Sequence, residues 1–148
     1  MRRLTINGKE YTVEFSIEAS LYNECTESVM NLIIGFGEAQ GELENAKKDK
    51  DAIRESIQKT LFSFANVAPT AMTLFYAGLL EHHGVTMDEA KKLIALYLKE
   101  NDATFLDVLN LMIEVMGEDH FFDLTGLSRI LNQVDLEEKK KRKKTGAD

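Results

Sequence analysis

The first fold-deciding stretch of the chain is Leu4-Thr5-Ile6-Asn7-Gly8-Lys9-Glu10-Tyr11-Thr12-Val13-Glu14-Phe15. Asn7-Gly8 separates two alternating segments, which is the pattern typical of a two-residue β-hairpin. Both central residues of a type I′ turn need positive φ, and Asn and Gly tolerate it best. Alternation places Leu4 and Ile6 on one face of the first strand, and Tyr11, Val13 and Phe15 on one face of the returning strand. We therefore predict a hairpin over 4–15 whose apolar face packs on a helix, since an isolated hairpin is marginally stable.

Helical periodicity follows directly after the hairpin. A first helix is predicted with Ser16 as its cap and the glycines at 35 and 37 as its end. Its predicted buried stripe consists of Ile17, Leu21, Cys25, Val29, Leu32, Ile33 and Phe36. The polar segment 38–51 has two interpretations, an exposed connection or a solvated extension of the next helix. A second amphipathic helix is predicted over 53–65, ending before Pro69.

Three further helices and a final one are predicted from capping and spacing. Pro69 is expected to start a helix that Gly84 stops in the left-handed conformation. Thr86 with Glu89 forms a capping box for the next helix. The segment 105–116 has one narrow polar stripe, so it is either the centre of the bundle or a surface that another chain covers. A last helix is predicted over 121–134.

The predicted fold class is therefore mainly α, with an N-terminal β-hairpin packed on a bundle of about five or six helices. Residues 1–136 are expected to form a single helical domain. Residues 137–148 are expected to be a basic, disordered tail.

Charge is distributed unevenly along the 148 residues. The net charge is −7, but six basic and three acidic side chains give residues 137–148 a charge of +3, which leaves −10 on the preceding 136 residues. An acidic body repels phosphate backbones, so we expect nucleic-acid binding by the folded part to be unlikely. No apolar stretch approaches the about 20 residues that span a bilayer, no secretory signal is readable, and Cys25 is the single cysteine. These features predict a soluble protein of the reducing cytoplasm.

No pattern in the sequence predicts a catalytic, cofactor or metal site. Adjacent His82 and His83 point about 100° apart on a helix, so we interpret them as helix C-terminal histidines stabilised by the macrodipole, with metal ligands as the alternative. Cys25 is interpreted as a small core residue, because no neighbouring base is predicted. Gly35-Phe36-Gly37 lacks the further residues of a phosphate-binding loop, so it predicts a helix stop. We expect a protein without enzymatic activity and without a cofactor.

Aromatic pairs and a basic run are the candidate partner-binding features. The pairs Phe62-Ser63-Phe64, Phe75-Tyr76 and Phe121-Phe122 are usually core, but each has one member off the apolar stripe. The basic run is either a frayed helix end with favourable C-terminal charge or a docking arm for an acidic partner or nucleic acid. The tentative partner-binding residues are Phe62, Phe121, Phe122, Lys139, Lys140, Lys141, Arg142, Lys143 and Lys144.

The motif from Leu4 to Tyr11, the returning Val13 and Phe15, and the helical body behind them resemble the tail assembly chaperones of long-tailed phages and prophages of Gram-positive bacteria. The specific likeness covers the first fifteen to twenty residues. The resemblance implies a non-enzymatic protein of the host cytoplasm, absent from the mature virion. It also implies binding to the tape measure protein and recruitment of tail tube subunits. Independently of the resemblance, the apolar segment 105–116 makes a homo-oligomer plausible, the oligomeric state stays open, and no membrane association is expected.

The family resemblance carries a further expectation about the gene. Many of these genes yield a longer product by ribosomal frameshifting near their 3′ end, on runs of adenine. Lys139-Lys140-Lys141 and Lys143-Lys144 fit such a run, and we predict a slippery heptamer there. Two other functions stay open, a small adaptor that binds nucleic acid or an acidic partner through the basic tail, and a structural tail-completion protein.

Overall fold

A computed structural model of the protein describes residues 1–31 and 65–129. Its elements are β1 (Arg2–Ile6), β2 (Lys9–Val13), α1 (Ile17–Leu21), α2 (23–31), α3 (Val67–Leu79), α4 (Met87–Glu100), α5 (Phe105–Glu118) and α6 (Phe121–Leu124). The chain is mainly helical with an N-terminal antiparallel hairpin, which confirms the predicted fold class. The predictions for 38–51, for most of the 53–65 helix and for the basic tail lie outside the described residues.

The hairpin forms as its sequence predicts. β1 and β2 pair antiparallel with Leu4 opposite Tyr11 and Ile6 opposite Lys9. Asn7 has φ 52° and Gly8 has φ 77°, as a type I′ turn requires. Ile6, Val13 and Phe15 are fully buried and Leu4 nearly so, because the alternation places these side chains on the face toward the helices.

The apolar face of the hairpin packs on a helical core. α3 packs mainly against α5, and it also contacts α4 and β2, while α4 lies beside β1. The largest fully buried side chains on α3 and α5 are Phe75, Leu74, Leu79, Leu109, Met112 and Met116. The prediction that the 105–116 segment is central to the bundle is therefore confirmed.

Several hydrogen bonds join the hairpin to the helical part of the protein. The Glu14 N–H donates to the carbonyl of Gly78 at 2.9 Å, and the Phe15 N–H donates to Asp119 Oδ2 at 2.9 Å. The α-amino group of Met1 also contacts the Asp119 carboxylate, whose side chain is 10% exposed. Gly78 is required at its position, because a Cβ there would lie 2.6 Å from Val13 Cγ1.

The first predicted helix is interrupted. Tyr22 has an extended conformation (φ −85°, ψ 100°), so α1 ends at Leu21 and a second helical segment starts at residue 23. Ser16 makes no side-chain cap. The break turns α1 out of phase with α2, so Ile17 and Leu21 are exposed although the stripe predicted them buried. Ala19 takes the inward position instead.

Within α2, the predicted stripe is confirmed at two positions. Cys25 and Val29 are buried, so the interpretation of Cys25 as a small core residue is correct. The remaining members of the stripe, from Leu32 onward, lie outside the described residues.

The ends of the later helices differ from their predicted positions. α3 starts at Val67, two residues before Pro69, which occupies its first turn where a proline is tolerated. It ends at Leu79, and Gly84 does not have a positive φ, so the predicted left-handed stop is wrong. The predicted 121–134 helix is broken after Leu124 by Gly126, which has φ 80°.

Side-chain caps are present at the starts of α4 and α5. Thr86 accepts a hydrogen bond from the Glu89 N–H at 3.2 Å, but the Glu89 side chain does not bond the Thr86 N–H in return, so the predicted capping box is only half formed. Thr104 and Asp107 form a complete capping box at the start of α5, which the sequence analysis did not identify. Both caps satisfy N–H groups that a helix start leaves unpaired.

Candidate partner-binding surfaces

Phe121 and Phe122, two of the residues predicted to bind partners, differ in accessibility. Phe121 is fully buried and meets the ring of Phe15 edge to face, with centroids 5.7 Å apart. Phe122 packs on Phe121 at 6.3 Å and is half-buried, so of this pair only Phe122 retains surface for a partner. Phe62 and the basic residues from Lys139 to Lys144 lie outside the described residues, and their role stays a prediction.

His82 and His83 follow α3 and hold the outer edge of β2. The Nε2 atom of His83 accepts a hydrogen bond from the Thr12 N–H at 2.9 Å, so this nitrogen carries no proton. His82 Nε2 lies 2.6 Å from Glu14 Oε2. Burial, and then the nearby His82 and Lys9, lower the pKa of His83. A neutral His83 gains nothing as a charge from the helix macrodipole, so its role is a tertiary contact that the sequence interpretation missed.

A groove opens between β2 on one side and the α3–α4 connection with the first turns of α4 on the other. Its volume is about 500 Å³, and its walls are Lys9, Tyr11, His82, His83, Gly84, Val85, Glu89, Lys92 and Leu93. The ammonium group of Lys9 lies 5.3 Å from the centre of the Tyr11 ring, a cation–π contact. The lining therefore combines positive, negative and apolar groups, which offers polar contacts to a partner without selecting one sign of charge.

Two exposed large aliphatic side chains on α1, Ile17 and Leu21, define a second surface, which we call the aliphatic set. Their exposed fractions are 51% and 71%. Ile17 and Leu21 stand one turn apart on α1, so they share a face. The hydropathy pattern did not identify this set, because the predicted stripe places both side chains on the buried face of the helix.

The remaining chemistry of the described residues is that of a packed core. Burial raises the pKa of the Cys25 thiol to about 12, so it is protonated at neutral pH and is a poor nucleophile. Within residues 1–31 and 65–129, no group of three or more His, Cys, Asp or Glu side chains is placed to hold a metal ion. Of the helices described, none is both long enough and apolar enough to span a membrane.

Comparison with known proteins identifies no relative of this chain. The chain matches no protein-family model, no curated protein and no solved structure. Functional inference for this chain therefore depends on its sequence motif and on the surfaces described above.

Proposed function

We propose that this protein is a non-enzymatic chaperone of phage tail assembly. In this role it binds the tape measure protein in the host cytoplasm, recruits tail tube subunits to it, and is left out of the finished virion. The resemblance of the Leu4–Tyr11 motif to tail assembly chaperones supports the proposal. So does the acidic body, because its charge of −10 over residues 1–136 keeps a complex with an apolar client in solution.

The observation that carries the proposal is the aliphatic set. A folded protein usually leaves large aliphatic side chains this exposed only singly, and a group of them marks a surface for another polypeptide. Ile17 and Leu21, one turn apart, match the spacing with which an amphipathic client helix presents its own apolar residues. A long helical client such as a tape measure protein offers many such faces.

Binding to the client tests this role for the aliphatic set. The proposal requires the neighbouring downstream gene to encode a long helical protein of tape measure type. The full chain is co-purified with that gene's product, and affinity is measured by titration calorimetry. Burying one leucine side chain contributes roughly 1.5–3 kcal/mol at most. We therefore expect the Leu21→Ser change to weaken binding by about tenfold, and the Ile17→Ser/Leu21→Ser double change to weaken it further.

Leu106→Ser is the matched control, because Leu106 is an exposed leucine on a different helix, at 38% exposure. It is expected to leave the affinity within about twofold of the wild type. Equal losses in the control and test variants would refute the role of the aliphatic set. No binding of the wild type to the downstream protein, or presence of this chain in purified virions, would refute the chaperone function.

A further inference from the structure

Carboxylates lie at both ends of the aliphatic set. Glu18 stands between the two members of the set on α1, and its N–H donates to Glu81 Oε2 at 3.0 Å, which holds a second carboxylate at the start of this helix. Glu24 follows the set by three residues. Its Oε2 atom accepts a hydrogen bond from the Tyr22 hydroxyl at 2.6 Å, which keeps this carboxylate beside the residue where α1 ends.

The fold does not neutralise these carboxylates. Glu18 and Glu24 are exposed and Glu81 is half-buried. Among the described residues, no lysine, arginine or histidine side chain forms an ion pair with any of the three. The nearby Glu14 differs, because its Oε2 atom lies 2.6 Å from His82 Nε2. The negative charge around the aliphatic set is therefore available to a partner.

Positive charge lies on other parts of the described surface. The segment 10–31 contains five glutamates and no lysine, arginine or histidine, so its net charge is −5. The lysines and arginines of the described ranges belong to the hairpin, to α4 and to the end of the second range: Arg2, Arg3, Lys9, Lys91, Lys92, Lys99 and Arg129. The local field at α1 is thus negative, which favours cationic partners and disfavours anionic ones.

The apolar and charged groups together specify the chemistry of the occupant. Two aliphatic side chains one turn apart match a helix that presents leucine or isoleucine at i and i+4. Because carboxylates lie at both ends of the aliphatic set, lysine or arginine on either side of that stripe meets opposite charge. The methylene stems of these residues also cover apolar surface while the charged head stays in water. An acidic helix, a nucleic acid and an anionic membrane carry the wrong sign of charge.

We propose that the aliphatic set and the three carboxylates around it bind a cationic amphipathic helix, in which lysine or arginine flanks a stripe of leucine or isoleucine. This inference rests on the proposed function for the identity of the client, and it specifies which segments of a long helical client the surface selects. The apolar contact supplies most of the affinity. The charges supply selectivity and a faster association, because each exposed ion pair contributes little by itself.

Fluorescence anisotropy with the full chain and three labelled synthetic peptides tests this chemistry. The first peptide is a helix of about 20 residues, long enough to form in isolation, with leucine at i and i+4 positions and lysine on both flanks. The second replaces every lysine by glutamate, and the third replaces every leucine by serine. At about 50 mM salt, we expect the lysine–leucine peptide to bind at least about tenfold more tightly than either of the others. Its advantage over the glutamate peptide should shrink at about 300 mM salt, where exposed charges are screened.

Glu18→Gln/Glu24→Gln is the test variant, because it removes two charges while glutamine keeps an acceptor for the Tyr22 hydroxyl. It is expected to weaken binding of the lysine–leucine peptide by about tenfold, since each exposed ion pair contributes at most a factor of about five. Asp88→Asn/Glu89→Gln is the matched control. It produces the same net charge by changing two exposed residues of α4, and it should leave the affinity within about twofold of the wild type.

Equal affinity for the lysine and glutamate peptides overturns the proposal, as do equal losses in the two double variants. Self-association of the chain that disappears in Ile17→Ser/Leu21→Ser assigns the surface to a second copy and also overturns it.

This inference and the proposed function fail in different ways. A downstream gene product that binds through the aliphatic set but is unaffected by Glu18→Gln/Glu24→Gln leaves the chaperone function in place and refutes the cationic partner. Selective binding of the lysine–leucine peptide without any binding of the downstream gene product supports the cationic partner and refutes the chaperone function alone.

Discussion

Gly78 is where the hairpin and α3 come closest, and replacing it tests how the two are joined. A Cβ at this position would lie 2.6 Å from Val13 Cγ1 and 3.1 Å from Phe15 Cζ. Val13 and Phe15 are both fully buried, so neither side chain has free space to move into. The Gly78 carbonyl also accepts the Glu14 N–H, so a shift of the helix that relieved the overlap would strain this hydrogen bond.

Two opposing effects determine how much Gly78→Ala changes the free energy of unfolding. Overpacking a buried site costs about 1–3 kcal/mol, whereas replacing a helical glycine by alanine contributes up to about 1 kcal/mol of helix propensity. The propensity gain is smaller here because Gly78 is the penultimate residue of α3. We therefore expect a net loss of about 1–2 kcal/mol in the free energy of unfolding. This corresponds to a decrease in Tm of roughly 3–6 °C for a chain of this size.

Urea unfolding followed by circular dichroism measures the change, with Gly117→Ala as the matched control. Gly117 is the penultimate residue of α5, and an added Cβ there meets no atom within 4 Å. The control should keep the propensity gain alone and be stabilised by up to about 1 kcal/mol. A Gly78→Ala protein as stable as Gly117→Ala would refute the close approach.

A double-mutant cycle assigns the cost to the specific contact. Val13→Ala removes the Cγ1 atom that the new methyl group would meet. The Gly78→Ala/Val13→Ala protein should therefore be more stable than the sum of the two single changes predicts, by about 1 kcal/mol. If the two losses of free energy add exactly, the cost of Gly78→Ala does not come from an overlap with Val13 Cγ1.

The remaining predictions concern single side chains of the described core and hairpin. His83→Phe leaves the Thr12 N–H without an acceptor and is expected to lower the free energy of unfolding by about 1–3 kcal/mol at pH 7.5, whereas His83→Gln keeps an acceptor and should lower it less. Equal losses in the two variants would show that this hydrogen bond does not contribute to stability. The pKa of His83 is lowered in the folded protein, so the unfolded state binds more protons when the pH falls below the ordinary histidine pKa of 6.5. The contribution of His83 to the free energy of unfolding is therefore fully present above pH 6.5 and is lost as the pH falls through the folded pKa. Urea titrations at pH 7.5 and 5.0 should therefore show a smaller acid loss in His83→Gln than in the wild type, and identical losses would contradict this assignment. The Cys25 thiol, with its pKa raised to about 12 by burial, is expected to react with a disulfide reagent at pH 8 at least about a hundredfold more slowly in the folded protein than in urea, and a rate equal to that of the unfolded chain would place Cys25 at the surface.

The features that the sequence determined are those that depend on neighbouring residues. Asn7-Gly8 specifies a type I′ turn, because few other pairs adopt positive φ at both positions. Thr86 starts α4 because a side-chain oxygen three residues before a free N–H is a local interaction. The apolar spacing of α5 identifies its buried face, because helical period and burial agree from Val108 to Met116, although Leu106 in the first turn is exposed.

The features that only the tertiary structure decided are those in which distant residues compete with the local pattern. Tyr22 packs its ring edge to face on Tyr76, with centroids 5.5 Å apart, and the helix breaks at Tyr22 although the spacing around it is helical. That break exposes Ile17 and Leu21, so the candidate client surface could not be read from periodicity. The partner of His83 lies 71 residues away in the hairpin. Contacts over such separations depend on how the elements pack, and sequence spacing records only the period within each element.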